Sequence, residues 1–106
     1  MKVKFKGWNC IVKKFQYSNG ATALRLIDAE DGSPVATCST NLTEEAIDAR
    51  LYITSDKLPW NYCYIKTWGE NDGIFEALIE AGAIDFDKTI PVGPHGSYAS
   101  LVRILI

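Results

Sequence analysis

Polar and apolar residues alternate at the start of the chain. Lys2, Lys4 and Lys6 interleave with Val3 and Phe5, the period of a strand with one buried face. Gly7 predicts a bulge or bend that shifts the phase, after which Trp8 to Phe15 continues as strand. Ser18-Asn19-Gly20 lies between β-forming runs and predicts a hairpin, because Asn and Gly tolerate the left-handed backbone of tight turns. On the return strand Thr22, Leu24 and Leu26 share one face, with Ala23 and Arg25 on the other. Asp31-Gly32-Ser33-Pro34 predicts the next turn, and Val35 to Thr40 a third strand.

The period then changes. Asn41 and Glu44 have capping-box spacing, and Ala46, Ile47, Arg50 and Leu51 have helical spacing, predicting a short second helix over about 43–50. Ser55-Asp56-Lys57-Leu58-Pro59 breaks it, and Trp60 to Thr67 resumes β character. Ile74, Phe75, Leu78 and Ile79 fall on one face of a helical period, predicting a firm helix over about 70–81 with Glu76 and Glu80 in solvent. Gly69 or Asn71 is its expected N-cap, and Gly82 its expected left-handed C′ residue.

Asp85-Phe86-Asp87-Lys88 reads as a polar turn, and Thr89-Ile90-Pro91-Val92 as a short edge strand. Gly93-Pro94-His95-Gly96 reads as a loop. Tyr98 to Ile106 is apolar on both faces and reads as a central strand, in which Arg103 needs a partner or a route to solvent. The sum is a single globular α+β domain over residues 1–106. Its expected architecture is a mostly antiparallel sheet of five or six strands with the 70–81 helix packed on it.

Composition agrees with a folded domain: 47% of residues are apolar and 23% charged. No apolar run approaches the ~20 residues that span a bilayer. The N-terminal lysines are followed by no apolar h-region, so a cytoplasmic location is expected. The three cysteines, Cys10, Cys38 and Cys63, have no paired spacing and read as buried small hydrophobes. One histidine, His95, leaves no metal-ligand spacing, and neither phosphate-loop glycine motif occurs. No metal, no cofactor and no catalytic residue is therefore expected. His95 with Ser97 or Ser100 would be the material of a small hydrolase, but sequence proximity does not make a triad.

Charge is uneven although the net is only −2. Lys2, Lys4, Lys6, Lys13, Lys14 and Arg25 meet no acid before residue 28, so the chain runs +6 and then −8. The simplest arrangement sets basic strands beside acidic segments so that the charges partly cancel. The alternative is a nucleic-acid surface of Lys2, Lys4, Lys6, Trp8, Lys13 and Lys14, with Trp8 and Tyr17 stacking on bases. The sequence pI of about 5.3 weighs against it.

An aromatic stripe is the other candidate. Tyr62, Tyr64, Lys66 and Trp68 alternate on one strand face, just after Trp60. The stripe reads either as packed under a loop or helix, or as an exposed hot spot extended by Glu70 and Asn71. In the second reading the protein is a non-catalytic interaction module with another protein as partner.

The segment IKTWGENDGIFEALIEAGAI resembles a family of short, uncharacterised bacterial proteins carried on plasmids, conjugative elements and phages. Ile65, Lys66, Trp68, Glu70, Asn71, Gly73, Glu76, Ala77, Leu78, Glu80, Ala81 and Gly82 carry the likeness. Tyr17, Asn19, Gly20 and Ala23 look like that family's hairpin. Gly69 departs from the serine that would complete a capping box. The resemblance implies a small accessory protein of a mobile element, and it assigns no catalytic residue.

Overall fold

The N-terminal alternation folds as a meander. Strands β1 (Lys2–Phe5), β2 (Trp8–Gln16), β3 (Thr22–Asp28) and β4 (Pro34–Thr37) lie side by side in chain order, all antiparallel. The computed structural model describes residues 1–93 and 96–106. Gly7 does not bulge a continuing strand. Phe5 pairs with Trp8, so Lys6 and Gly7 make a two-residue hairpin at φ 49° and 83°. Two positive φ values are the signature of a type I′ turn, whose twist matches that of the flanking strands. The second hairpin is where Asn19-Gly20 predicts it: the Tyr17 N–H donates to Ala21 O at 2.8 Å and the Gly20 N–H to Tyr17 O at 2.9 Å.

A second sheet follows. Strands β5 (Ser39–Thr40), β6 (Tyr62–Lys66), β7 (Ile84–Val92) and β8 (Ser97–Ile104) lie in the order β5-β6-β8-β7. Two four-stranded sheets thus replace the single five- or six-stranded sheet expected, while the α+β class holds. The reason lies at Cys38. Its N–H donates to Leu24 O in the first sheet, and its carbonyl accepts the Lys66 N–H in the second, at 2.9 and 2.8 Å. The expected third strand therefore crosses from one sheet to the other midway. β8 lies between β6 and β7, the central place its two apolar faces predict. β7 absorbs the expected turn at 85–88 through a register shift between Phe86 and Lys88. As an edge strand it leaves residues 85–89 exposed. Arg103 reaches solvent and pairs with Asp85 at 2.6 Å.

The 70–81 helix is shorter than its pattern suggests. Gly69–Asn71 forms a 3-10 turn, and helix α1 spans Ile74–Glu80. Gly73, rather than Gly69 or Asn71, is the N-cap, at φ 88°, a conformation a Cβ would strain. At the other end Gly82 takes φ 75°. The Ala83 N–H bonds Leu78 O and the Gly82 N–H bonds Ile79 O, both at 3.0 Å, closing a Schellman motif. α1 packs against β1 and β7, one edge strand of each sheet. Only the narrow stripe of Ile74 and Leu78 is fully covered, and each stabilises by about 1.5–3 kcal/mol. Ile79, expected inside, is 39% exposed.

Two cores result. The first joins Val3, Phe5, Cys10, Val12, Leu24 and Leu26 of the meander to Cys63, Ile65, Ile84, Val102 and Ile104 of the second sheet and to α1. The second lies on the other face of the second sheet, where Tyr64, Ile90, Ala99 and Leu101 meet Leu42 and Ile47. The covering segment is 41–61. Its expected helix over 43–50 is instead two successive turns, with Ile47 N bonded to Thr43 O and Tyr52 N to Asp48 O. Ser55 pins this segment: its hydroxyl accepts the Leu42 N–H at 2.8 Å, and its own N–H donates to Leu42 O at 2.8 Å. Among the described residues no helix is long and apolar enough to cross a membrane.

Candidate functional site

The aromatic stripe lines the second core. Tyr64 is 1% exposed, and its hydroxyl donates to Ile53 O. Burial pushes its phenol above the ordinary value. Tyr62 and Trp68 are half-buried against the same cluster. Lys66 reaches along the surface to the Glu70 carboxylate at 2.8 Å, which holds that carboxyl below its ordinary range. Asn71 is 1% exposed and donates from Nδ2 to Thr37 O at 2.7 Å. Tyr64 and Asn71 are thus corrections to the expected contact surface. Both are structural groups, because segment 41–61 covers the stripe and the turn before α1 tucks Asn71 against β4.

The basic residues divide by strand parity. Lys6 sits in the first hairpin turn and donates to Glu70 O at 2.9 Å. Lys14 lies on the Val12 side of β2, where it donates to a backbone oxygen of Ile106 at 2.7 Å and stands 5.4 Å from the Trp60 ring centre. Trp8 pairs with Phe5 and so shares the inward face, although it is 53% exposed at the sheet's end. Lys2, Lys4 and Lys13 point the other way, onto the outer face of the meander. The six expected nucleic-acid residues therefore do not share a surface.

What does assemble on that outer face is a different set. Ile11 pairs with Lys2 on one side and Ile27 on the other. Lys13 pairs with Arg25, and Phe15 with Ala23. The Arg25 guanidinium lies 4.2 Å from the Phe15 ring centre, a cation–π contact. The face thus alternates along its strands: half-buried Phe15, the exposed Lys13–Arg25 row, then half-buried Ile11 and Ile27 beside exposed Lys2, with exposed Lys4 beyond. Among the described residues none of these four cations makes an ion pair. The expected cancellation by acidic segments does not reach them. Glu30 lines, together with Lys2 and Lys4, a hollow of about 510 Å³ beside this face.

Arg25, Ile11, Phe15 and Ile27 were not singled out as site residues by the sequence. The signal was available: a three-residue loop at Ser18-Asn19-Gly20 fixes Gln16 opposite Thr22, and counting back sets Lys13 opposite Arg25.

The remaining candidates stay apart. His95 lies outside the described residues. Ser97 opens β8, and Ser100 is buried in it. Among the described residues no group of His, Cys, Asp or Glu converges as a metal site. Cys10, Cys38 and Cys63 are buried and unpaired. Burial pushes the Cys38 and Cys63 thiols up to about 12, away from the thiolate that nucleophilic chemistry needs. Tyr17 and Ser39 exchange a hydrogen bond at 2.9 Å, and the Ser39 hydroxyl accepts the Leu24 N–H at 3.0 Å. Both groups complete the crossing between sheets.

A small α+β scaffold whose first sheet turns interleaved cations and half-buried apolar residues outward is the class that fold and geometry define. Comparison with protein-family models, with curated proteins and with solved structures finds no match to this chain.

Proposed function

We propose that this protein is a small non-catalytic interaction module that docks another protein on the outer face of its N-terminal sheet. The observation that carries the reading is the contrast between faces. The inward face of the first sheet meets the first core and the second sheet carries a core on each face, whereas Ile11, Ile27 and Phe15 on the outer face of the meander belong to neither core and stay half-buried. Aromatic residues and Arg are enriched in protein–protein contacts, and this face offers Phe15 and Arg25 beside Ile11 and Ile27. The resemblance of residues 65–82 to short proteins of plasmids and phages supports an accessory role on a mobile element.

The test is capture from nuclease-treated lysate of the source by the tagged protein and by its Ile11→Asp variant, each verified as folded by circular dichroism. A near-stoichiometric protein partner held by the parent and lost by the variant supports the module. A partner retained by Ile11→Asp, or capture of nothing, overturns it.

A further inference from the structure

We infer that the docking face recognises its partner through carboxylates: Lys13 and Arg25 together hold one acidic side chain, and Lys2 and Lys4, on the neighbouring strand beside Ile11, hold another. This rests on the reading of that face as the docking surface. Four details support it.

The first is the Lys13–Arg25 pair. The two residues are cross-strand neighbours, and cross-strand Cα atoms lie only about 4.5–5.5 Å apart. Like charges so placed repel, and no acid relieves them among the described residues. An anion between them would turn that repulsion into two attractions.

The second is the Arg25 side chain. Its contact with the Phe15 ring, at 4.2 Å, restrains the guanidinium before any partner arrives. A restrained planar fork binds a carboxylate through two parallel N–H bonds and loses less side-chain entropy in doing so.

The third is the order of apolar and cationic rows along the strands. Ile11 and Ile27 form the cross-strand row next to the Lys13–Arg25 pair, with Lys2 opposite Ile11, Lys4 one step beyond, and Phe15 on the other side of the pair. Lys2 and Lys4 are two residues apart on one strand, about 6.6–6.8 Å. A partner that matches this order alternates acidic and apolar side chains, as an extended acidic segment does.

The fourth separates a protein from a nucleic acid. Base stacking needs open aromatic faces, but Phe15 is capped by Arg25, and Tyr17, two residues on, is half-buried and bonded to Ser39. Exposed Trp8, Trp60 and Tyr98 lie elsewhere on the fold. Beyond residue 27 the chain carries a net −8, which repels a long polyanion and tolerates a partner whose acids are confined to one patch.

The experiment is fluorescence anisotropy on the intact chain with three labelled probes. They are a short peptide alternating Glu with Leu, the same peptide with Gln for Glu, and an oligothymidylate. The Glu peptide should bind, weaken as salt rises, and exceed both other probes. Arg25→Gln should weaken it about tenfold, ~1.4 kcal/mol. Arg25→Lys, which keeps the charge and loses the fork, should recover only part of that. Equal binding of the Glu and Gln peptides overturns carboxylate recognition and leaves the docking face itself to the Ile11→Asp capture. Tighter binding of the oligonucleotide overturns the partner class. Binding of no probe at low salt overturns the inference.

Discussion

Replacing Ser39 by alanine tests how the chain passes from one sheet to the other. By register, Leu24 and Cys38 would exchange both backbone hydrogen bonds, as opposed residues in an antiparallel pair do. Only one forms: Cys38 N–H donates to Leu24 O, while the Cys38 carbonyl turns to Lys66 in the second sheet. The Leu24 N–H is left to the Ser39 hydroxyl at 3.0 Å, in a residue with 0% exposure. Ser39→Ala strands that donor, at a cost of about 1–3 kcal/mol, and removes the Tyr17 bond, worth about 0.5–1.5 kcal/mol. A loss of about 2–3 kcal/mol follows. With a urea slope of about 1–3 kcal/mol/M, the unfolding midpoint should fall by about 1 M or more. Tyr17→Phe breaks the bond at its half-buried end and should cost about 1 kcal/mol or less. The double variant should be no worse than Ser39→Ala alone, since the two groups share one contact. A Ser39→Ala loss below about 0.5 kcal/mol, or a Tyr17→Phe loss as large as that of Ser39→Ala, refutes the reasoning.

Two further predictions concern the cores. Tyr64→Ala removes a ring that is 1% exposed and a hydroxyl bonded to Ile53 O, so it should cost about 3–5 kcal/mol by chemical denaturation. A loss under about 1 kcal/mol would mean that segment 41–61 does not pack on the stripe. The three thiols should resist alkylation in the native protein at mildly alkaline pH, as read by mass spectrometry, and react together once it unfolds. Their stability effect has a defined sign. Folding raises the Cys38 and Cys63 values from 9.0 to about 12, so the native state holds more protons in that window. Stability should then fall as pH rises from 9 towards 12. Flat stability there would show that the thiols are solvated.

Local signals in this chain translate well into local structure. Asn19-Gly20 makes its hairpin, Gly82 ends its helix, and the two-faced apolar run of β8 lies inside its sheet. Each is decided by backbone sterics or burial within a few residues. Longer-range features are less legible. Nothing in a Thr-Cys-Ser run announces that Cys38 will bond to two sheets, because the choice depends on β6, which comes after segment 41–61. The helical spacing at 43–50 loses to packing: Leu42 and Ile47 bury themselves against Tyr64 through turns as well as a helix could. The aromatic stripe shows the same limit. Alternation puts Tyr62, Tyr64 and Lys66 on one face, but whether that face meets water depends on a segment whose path the strand does not encode. The outer face of the meander lay between the two cases. Its parity was readable strand by strand, and its residues came together only when register was carried across the hairpin.

The most direct test of the docking face is an NMR footprint on the isotope-labelled protein bound to its captured partner. The account predicts amide shift changes centred on Ile11, Lys13, Phe15, Arg25 and Ile27, with Tyr64 and Leu101 in the second core unmoved. Changes centred instead on the exposed edge strand β7, or on Leu51 and Ile53 in the covering segment, would contradict it.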